Sequence, residues 1–323
     1  MRLIRTILIW SGNKSYQLRF VQLFHQPRAP TSTNLILLLA RLISKMSDEV
    51  SMTTDEALIF LRDVLGMATT KDKIHKDRVA FLDELTMAWL HHIPFQSIRA
   101  ISVPHPERHL PSFAEIKKDL FSKLGGLCYD HSLSTLAILR ALGFDVSLVT
   151  CDVSFQDSHA LVLVHNACSP GSIHMVDVGT GYPTFKAIPF DFELVSPEYH
   201  HSYLRYRFIR EGDLIIRQHH ADTDPRASLW PDRVKDGWYS FIYIHYDKPQ
   251  KISYFDRVMT TLYTEKLPTP PYLTSPRCMT WPKGRFICIK DTTLLVEKEE
   301  GRVEKSYLKS LDDIVAAYKN YFP

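Results

Sequence analysis

Leu124-Gly125-Gly126-Leu127-Cys128-Tyr129-Asp130 joins a helix-patterned half of the chain to a strand-patterned half. Its two glycines permit a tight backbone approach that a side chain would block. From 129 to 142, Leu133, Leu136, Ala137, Arg140 and Ala141 fall at helical spacing, and Gly143 marks the end of that helix. Cys128 therefore sits where the helix begins. Unpaired N–H groups there favour a thiolate, and such sites lower a cysteine pKa from about 8.5 to about 3.5–7.5. Taken alone, the same residue also fits a small buried hydrophobe. The other four cysteines lack this setting: Cys151 lies in a strand pattern, Cys168 in a loop, and Cys278 and Cys288 flank a Trp-Pro-Lys-Gly turn.

A nucleophilic cysteine needs a base, and the base needs an orienting acceptor. His159–Val164 and Ser172–Asp177 are strand-like runs joined by the turn residues 166–171. If they form an antiparallel hairpin centred on 168, His159 falls opposite Asp177. Directly opposed residues hold their Cβ atoms about 4.5–5.5 Å apart, close enough for Asp177 to accept from an imidazole N–H. That bond fixes the tautomer and leaves the other ring nitrogen for the thiol. Without Cys128 the pair reads as a cross-strand contact; with it, the order is Cys, His, Asp.

Working outward, Thr53-Thr54-Asp55-Glu56 opens a helix with Leu58, Leu61 and Leu65 on one side. A second helix runs through Val79, Leu82, Leu85, Met87 and Leu90 to Pro94. Residues 99–112, with three prolines, read as a loop. Strand texture covers 144–151, 159–164, 173–178, 204–210 and 214–218, with Glu211-Gly212-Asp213 as a hairpin turn. Strands at 238–246, 285–290 and 294–297 and a Ser310-capped helix near 311–322 complete the chain. Helices first, strands next and a mixed end specify an α+β fold.

The 323 residues are 45% hydrophobic and 23% charged, enough for a sizeable core. No apolar run reaches the roughly 18 residues of a membrane helix. Five cysteines form no CxxC pair, which points to a reducing compartment rather than a disulfide framework. Residues 1–47 carry seven of the 39 bases and no acid; the other 32 face all 36 acids. The globular part is thus net −4, which argues against a nucleic-acid face. Segment 1–46 reads either as a basic leader of mitochondrial type or as an extension ahead of a start near Met46, and the expected location is cytoplasmic unless that leader is used. Histidine pairs at 91/92, 200/201 and 219/220 point apart on any regular element, and no HExxH is present, so no metal is expected.

Four stretches in order resemble the arylamine N-acetyltransferase family. Ile93-Pro94-Phe95-Gln96-Ser97 stands where the family reads PFEN, and Leu124-Gly125-Gly126-Leu127-Cys128 where it reads RGG-x-C. His159-Ala160-Leu161-Val162-Leu163-Val164 resembles H-x-x-L-x-V with one residue of latitude, and Asp177-Val178-Gly179-Thr180-Gly181 resembles DVGFG. The resemblance is strong over 80–190 and general afterwards. It implies a helical domain over 47–143 carrying Cys128, a β-barrel-like domain over 144–250 carrying His159 and Asp177, and an α/β lid over 251–323. The whole would be a cysteine-protease-like Cys-His-Asp arrangement at the junction of the first two.

The resemblance further implies a ping-pong transfer of an acetyl or related short acyl group. It would pass from acyl-CoA, through acyl-Cys128, to an arylamine or hydrazine, as in xenobiotic metabolism. Acyl-CoA is then a co-substrate, and neither a tightly bound cofactor nor a membrane or nucleic-acid partner is called for. Phe95, Gly126 and Thr180 are the expected substrate-binding residues. Leu124 and Gln96 replace the family's paired arginine and glutamate, a coordinated neutral substitution that avoids stranding one buried charge. Thr180 replaces an aromatic residue and should alter the acceptor pocket. The rival readings are an amide hydrolase or transglutaminase-like enzyme with the same Cys, His and Asp, and a catalytically silent homologue.

Overall fold

The computed structural model describes residues 50–264 and 272–322. The leader 1–46 lies outside the described residues. Helix α1 (Thr54–Ile59) starts at Thr53, whose side chain accepts from the Glu56 N–H while Glu56 returns the bond, and it runs on through a π-helical turn over Phe60–Val64. Helices α2 (Lys71–Lys76) and α3 (Arg78–His92) follow, then the two-residue strand β1 (Phe95–Gln96). The stretch expected to be loop holds a short helix, α4 (Ile98–Ser102), and a 3-10 turn at His105–Glu107. Helix α5 (Phe113–Phe121) had a legible signature, Ser112 and Glu115 in a reciprocal cap. Helix α6 (Cys128–Ala141) completes the helical part.

Eleven of the fourteen residues of α6 are buried, so it is a central helix rather than an amphipathic surface one. One side packs with Phe60, Leu82, Leu85 and Trp89. The other meets β2 (Asp145–Asp152) and β3 (His159–His165), whose Leu148, Ala160, Val162 and Val164 join the same core. The alternate residues Val149, Leu161 and Leu163 face a second core with Phe208 and Ile215. Burial on both faces explains why His159–Val164 reads as an unbroken apolar run.

Strands β4 (Ile173–Val176), β5 (Ile188–Pro189), β6 (Tyr199–His201), β7 (Leu204–Glu211), β8 (Leu214–His220), β9 (Val234–Lys235) and β10 (Trp238–Ile244) complete an antiparallel sheet. Its order is β5-β4-β3-β2-β10-β8-β7-β6, with β9 on β10. The order ends on two separate edges, so the expected β-barrel-like domain is a curled half-barrel rather than a closed one. After helix α7 (Asp256–Thr264), strands β11 (Arg277–Thr280), β12 (Ile287–Lys290), β13 (Thr293–Glu297) and β14 (Val303–Tyr307) form a second sheet. Phe95 and Gln96 pair with Met279 and Cys278 at its edge, which ties the C-terminal part to the helical part. Helix α8 (Leu311–Tyr321) is capped by Ser310 as expected. No described helix is long and apolar enough to cross a membrane.

Ser132 pins α6 to the sheet. Its hydroxyl donates to the Ala160 carbonyl at 2.6 Å, with the Cys128 carbonyl within reach at 2.9 Å. Ser132→Ala should lower unfolding free energy by about 1 kcal/mol, read as a reduced urea midpoint at unchanged slope.

Candidate active site

The turn before Cys128 is fixed by contacts that only glycine allows. Gly125 has φ +66°, and a Cβ there would meet the Pro94 oxygen at 1.9 Å. The Gln96 N–H donates to the Gly126 carbonyl at 2.9 Å, holding Phe95 and Gln96 against the turn. At Gly126 a Cβ would strike Asp130 Oδ2 at 2.1 Å. That oxygen accepts from the Leu127 N–H at 2.8 Å, so Asp130 closes the helix start from inside its own first turn. Leu124, where the family has arginine, is about half exposed (49%), while Gln96 is buried with its Oε1 accepting from the Arg99 N–H at 2.9 Å.

Cys128 is therefore the first residue of a buried helix, itself 7% exposed. Gly179, two residues past Asp177, lies on this turn: a Cβ there would be 2.9 Å from the Cys128 oxygen and 3.2 Å from His131 Cβ. The segment after β4 is thus pressed onto the start of α6, and this contact brings Asp177 to Cys128.

His159 opens β3, and its Nε2 lies 3.4 Å from Asp177 Oδ1, with both side chains buried. Asp177 Oδ1 also accepts from the Gly179 N–H at 3.1 Å. The register differs from the hairpin centred on 168. Val162 pairs with Val176 and Leu163 with Met175, and the turn closes through the Asn166 N–H to the Ser172 oxygen, which centres it on 169. Continued, that register sets Leu161 opposite Asp177, so His159 and Asp177 are diagonal neighbours. The shift keeps both on one face because side chains alternate with period two, and a diagonal span is still within reach of an imidazole.

Burial alone would push the His159 imidazole down. The Asp177 charge, with the Asp177 and Cys128 side chains close by, outweighs it and raises the pKa to about 10. Burial pushes Asp177 up, and the His159 charge and hydrogen bond, the Arg217 charge and the Gly179 N–H bring it below its ordinary value. Nε2 faces Asp177, which leaves Nδ1 for the sulfur.

His131, unremarked in the sequence, is the second buried imidazole here. Trp89 Nε1–H donates to its Nδ1 at 2.8 Å, so its proton sits on Nε2, which faces the Gly126 carbonyl at 3.2 Å. Burial drives its pKa down to about 4, and it packs parallel to the Phe95 ring. It is a neutral brace between α3, α6 and the glycine turn.

Cys128, His159, Thr180 and Tyr272 line a pocket of about 20 Å³. Thr180 and Tyr272 also line a neighbouring cleft of about 1000 Å³, which Phe95 borders as well. Arg205, Arg226, Arg233, Arg277, Lys290 and Arg302 line this cleft against Asp222 and Asp224. Gly126 is not brought to this side. It faces a cavity of about 50 Å³ on the far side of the turn, with Gln96, Asp130 and Tyr263. The cations of β7, β11 and β12 carried no motif, and only the meeting of the two sheets assembles them. Among the described residues no group of three or more His, Cys, Asp or Glu side chains is arranged to hold a metal.

Burial raises the Asp130 carboxyl to about 7. Between its unfolded value near 4 and that figure the folded state holds a proton the unfolded chain has lost, so stability falls as pH rises across this window. Asp130→Asn keeps an acceptor for the Leu127 N–H and does not titrate. Urea midpoints should show it gaining on the wild type from about pH 4 to 7; a constant difference would contradict this.

A sequence model described as N-acetyltransferase matches residues 78–323. In fold the chain is similar to the arylamine N-acetyltransferase of Mycobacterium marinum, with 18% identity and a TM-score of 0.65 over 82% of this chain and 92% of that one. The Nocardia farcinica arylamine N-acetyltransferase gives 21% identity and a TM-score of 0.65 over 85% and 93%. The M. marinum protein in complex with CoA is similar at 18% identity and a TM-score of 0.65, over 82% and 92%. No curated protein sequence matches the chain. The matched span runs from α3 to the C-terminus and takes in all four motifs, and the chain belongs to the arylamine N-acetyltransferase family, whose members are enzymes.

Proposed function

We propose that the protein transfers an acetyl or related short acyl group from acyl-CoA to an arylamine or hydrazine through an acyl-Cys128 intermediate. The observation that carries this reading is the buried set of Cys128, His159 and Asp177, of which Cys128 and His159 line a pocket that adjoins a cation-lined cleft. His159, protonated and oriented by Asp177, pairs with Cys128 as the thiolate, and the sulfur attacks the thioester carbon. The N–H groups of the first turn of α6 face the developing oxyanion. The intermediate collapses, the C–S bond to CoA breaks, and His159 returns the proton to the leaving thiolate. The amine then attacks the acyl-Cys128 carbonyl while His159 accepts its proton, and collapse restores the cysteine.

Six cationic side chains against two acids suit a donor bearing phosphates, which favours a CoA thioester over a peptide amide. Phe95 and Thr180 border the space for the acceptor, and Gly126 acts through the turn it forms. The same reading divides the chain into a nucleophile-bearing segment (47–143), a sheet segment bearing base and acceptor (144–250) and a covering segment (251–323). A thiol nucleophile works in a reducing compartment, in keeping with a cytoplasmic enzyme.

Two-substrate kinetics test the reading. Varying acyl-CoA at several fixed amine concentrations should give parallel double-reciprocal lines; intersecting lines would refute a ping-pong order. Cys128→Ala should abolish turnover with the fold intact, and His159→Gln should lower kcat by about 10²–10⁴. Raising salt to about 0.5 M should raise KM for acyl-CoA several-fold while sparing kcat, because screening weakens the cleft's attraction for phosphates.

A further inference from the structure

A fourth charge stands behind the three groups of the site. Arg217, on β8, is fully buried. Its Nη1 donates to Thr184 Oγ1 at 2.8 Å and its Nη2 to the Pro183 carbonyl at 3.2 Å, while the guanidinium lies 4.3 Å from the Tyr206 ring centroid. All these partners are neutral, and Nε has no hydrogen-bond partner. The buried carboxylates are held by other groups: Asp224 by Arg226 at 2.6 Å and His219 at 2.7 Å, Glu297 by Ser202 and the Phe286 N–H, Asp130 by the Leu127 N–H at 2.8 Å, and Asp177 by His159 at 3.4 Å. A buried cation without a counter-ion is costly, so Arg217 calls for an anion to balance it.

The surroundings leave one. The titratable groups near Asp177 besides His159 are His131 and Cys151; burial lowers the first to about 4 and raises the second, so both are uncharged near neutral pH. Near Arg217, burial raises Tyr206 and Tyr182 and lowers His201 to about 4 and His219 to about 3. Asp224 and Arg226 cancel each other. What remains is Arg217 and Asp177, each within the other's field, and Asp177 Oδ2 also lacks a hydrogen-bond partner. Pro183 and Thr184, which Arg217 grips, belong to the segment that leaves Asp177, so the cation is tied to the chain it balances.

The balance holds through the proposed reaction, on which this inference rests. Thiolate, imidazolium and Asp177 carboxylate sum to −1. In the acyl-enzyme the thioester is neutral and the imidazole has given its proton to the departing thiolate, so the sum is again −1. With Arg217 both states are neutral. We propose that Arg217 is the buried counter-charge of the site, a positioning residue that keeps Asp177 ionised through both halves of the cycle.

The test is alkylation of the full chain by iodoacetamide across pH, with Cys128 followed by peptide mass and the exposed Cys168 as internal reference. The wild type, Arg217→Gln, Arg217→Lys and Thr184→Val are compared, together with the pH profile of kcat. Without the cation, Asp177 takes up its proton at higher pH, so the acid limb of Arg217→Gln should rise by about one unit or more. Arg217→Lys, which keeps the charge, and Thr184→Val, which removes only a hydrogen bond, should keep the limb at the wild-type position. A limb unmoved in Arg217→Gln overturns the proposal, as does an equal shift in Thr184→Val, which would mark a purely structural role. If Arg217→Gln does not fold, Arg217→Lys decides: an unmoved limb supports the counter-charge and a displaced one overturns it. A wild type whose Cys128 shows no acid limb overturns the acyl-transfer reading itself, and the inference with it.

Discussion

The contact between Gly179 and the first turn of α6 is the constraint on which the site depends. A helix buried along most of its length fixes Cys128 in the core, and a strand packed on that helix fixes His159. Asp177 lies beyond the last paired residue of its strand, so the ladder alone does not hold it. Its position follows from a backbone with no room for a Cβ against the Cys128 oxygen. The glycine pair at 125 and 126 does the same on the other side of the turn, against Pro94 and Asp130.

Electrostatics then follow from burial. Charges enclosed this completely must balance locally, because water is not there to do it. His159 is held protonated by Asp177, whereas His131, three residues after the cysteine and equally buried, has only neutral partners and is held neutral. Two imidazoles in one core thus take opposite states, and the neighbouring carboxylate decides which is which. The cations of the adjoining cleft line an open space, with Arg226 tied to Asp224 and Arg205 to Glu198, while Arg217 is turned inward.

Much of this was legible in the sequence. The helix starting at Cys128, the strands at 145–152 and 159–165 and the Ser310 cap follow from period, glycine placement and capping chemistry. Cys128 was nameable from its glycine turn and helix start, and His159 and Asp177 from a pairing rule that put those two on one face. The register itself was off by two residues, since the turn closes on Asn166 and Ser172, and such closure depends on side-chain bonds that spacing does not reveal. Helix α5 was missed despite its Ser112–Glu115 cap, because prolines just before it dominated the reading. Gly126 was expected in the substrate cleft, but the structure turns it toward Asp130. His131, Arg217 and the cleft cations carried no local signal; their meaning comes only from distant segments meeting in the fold.

The central claim is that Cys128 carries the acyl group. Its most direct test is the intact mass of the protein, quenched in acid soon after mixing with acetyl-, propionyl- or malonyl-CoA in the absence of amine, beside Cys128→Ala. A mass increase of one acyl group on the wild type alone, lost again when an arylamine is added, is the predicted result. A folded wild type that gains no mass from any donor, or an equal gain on Cys128→Ala, would contradict it.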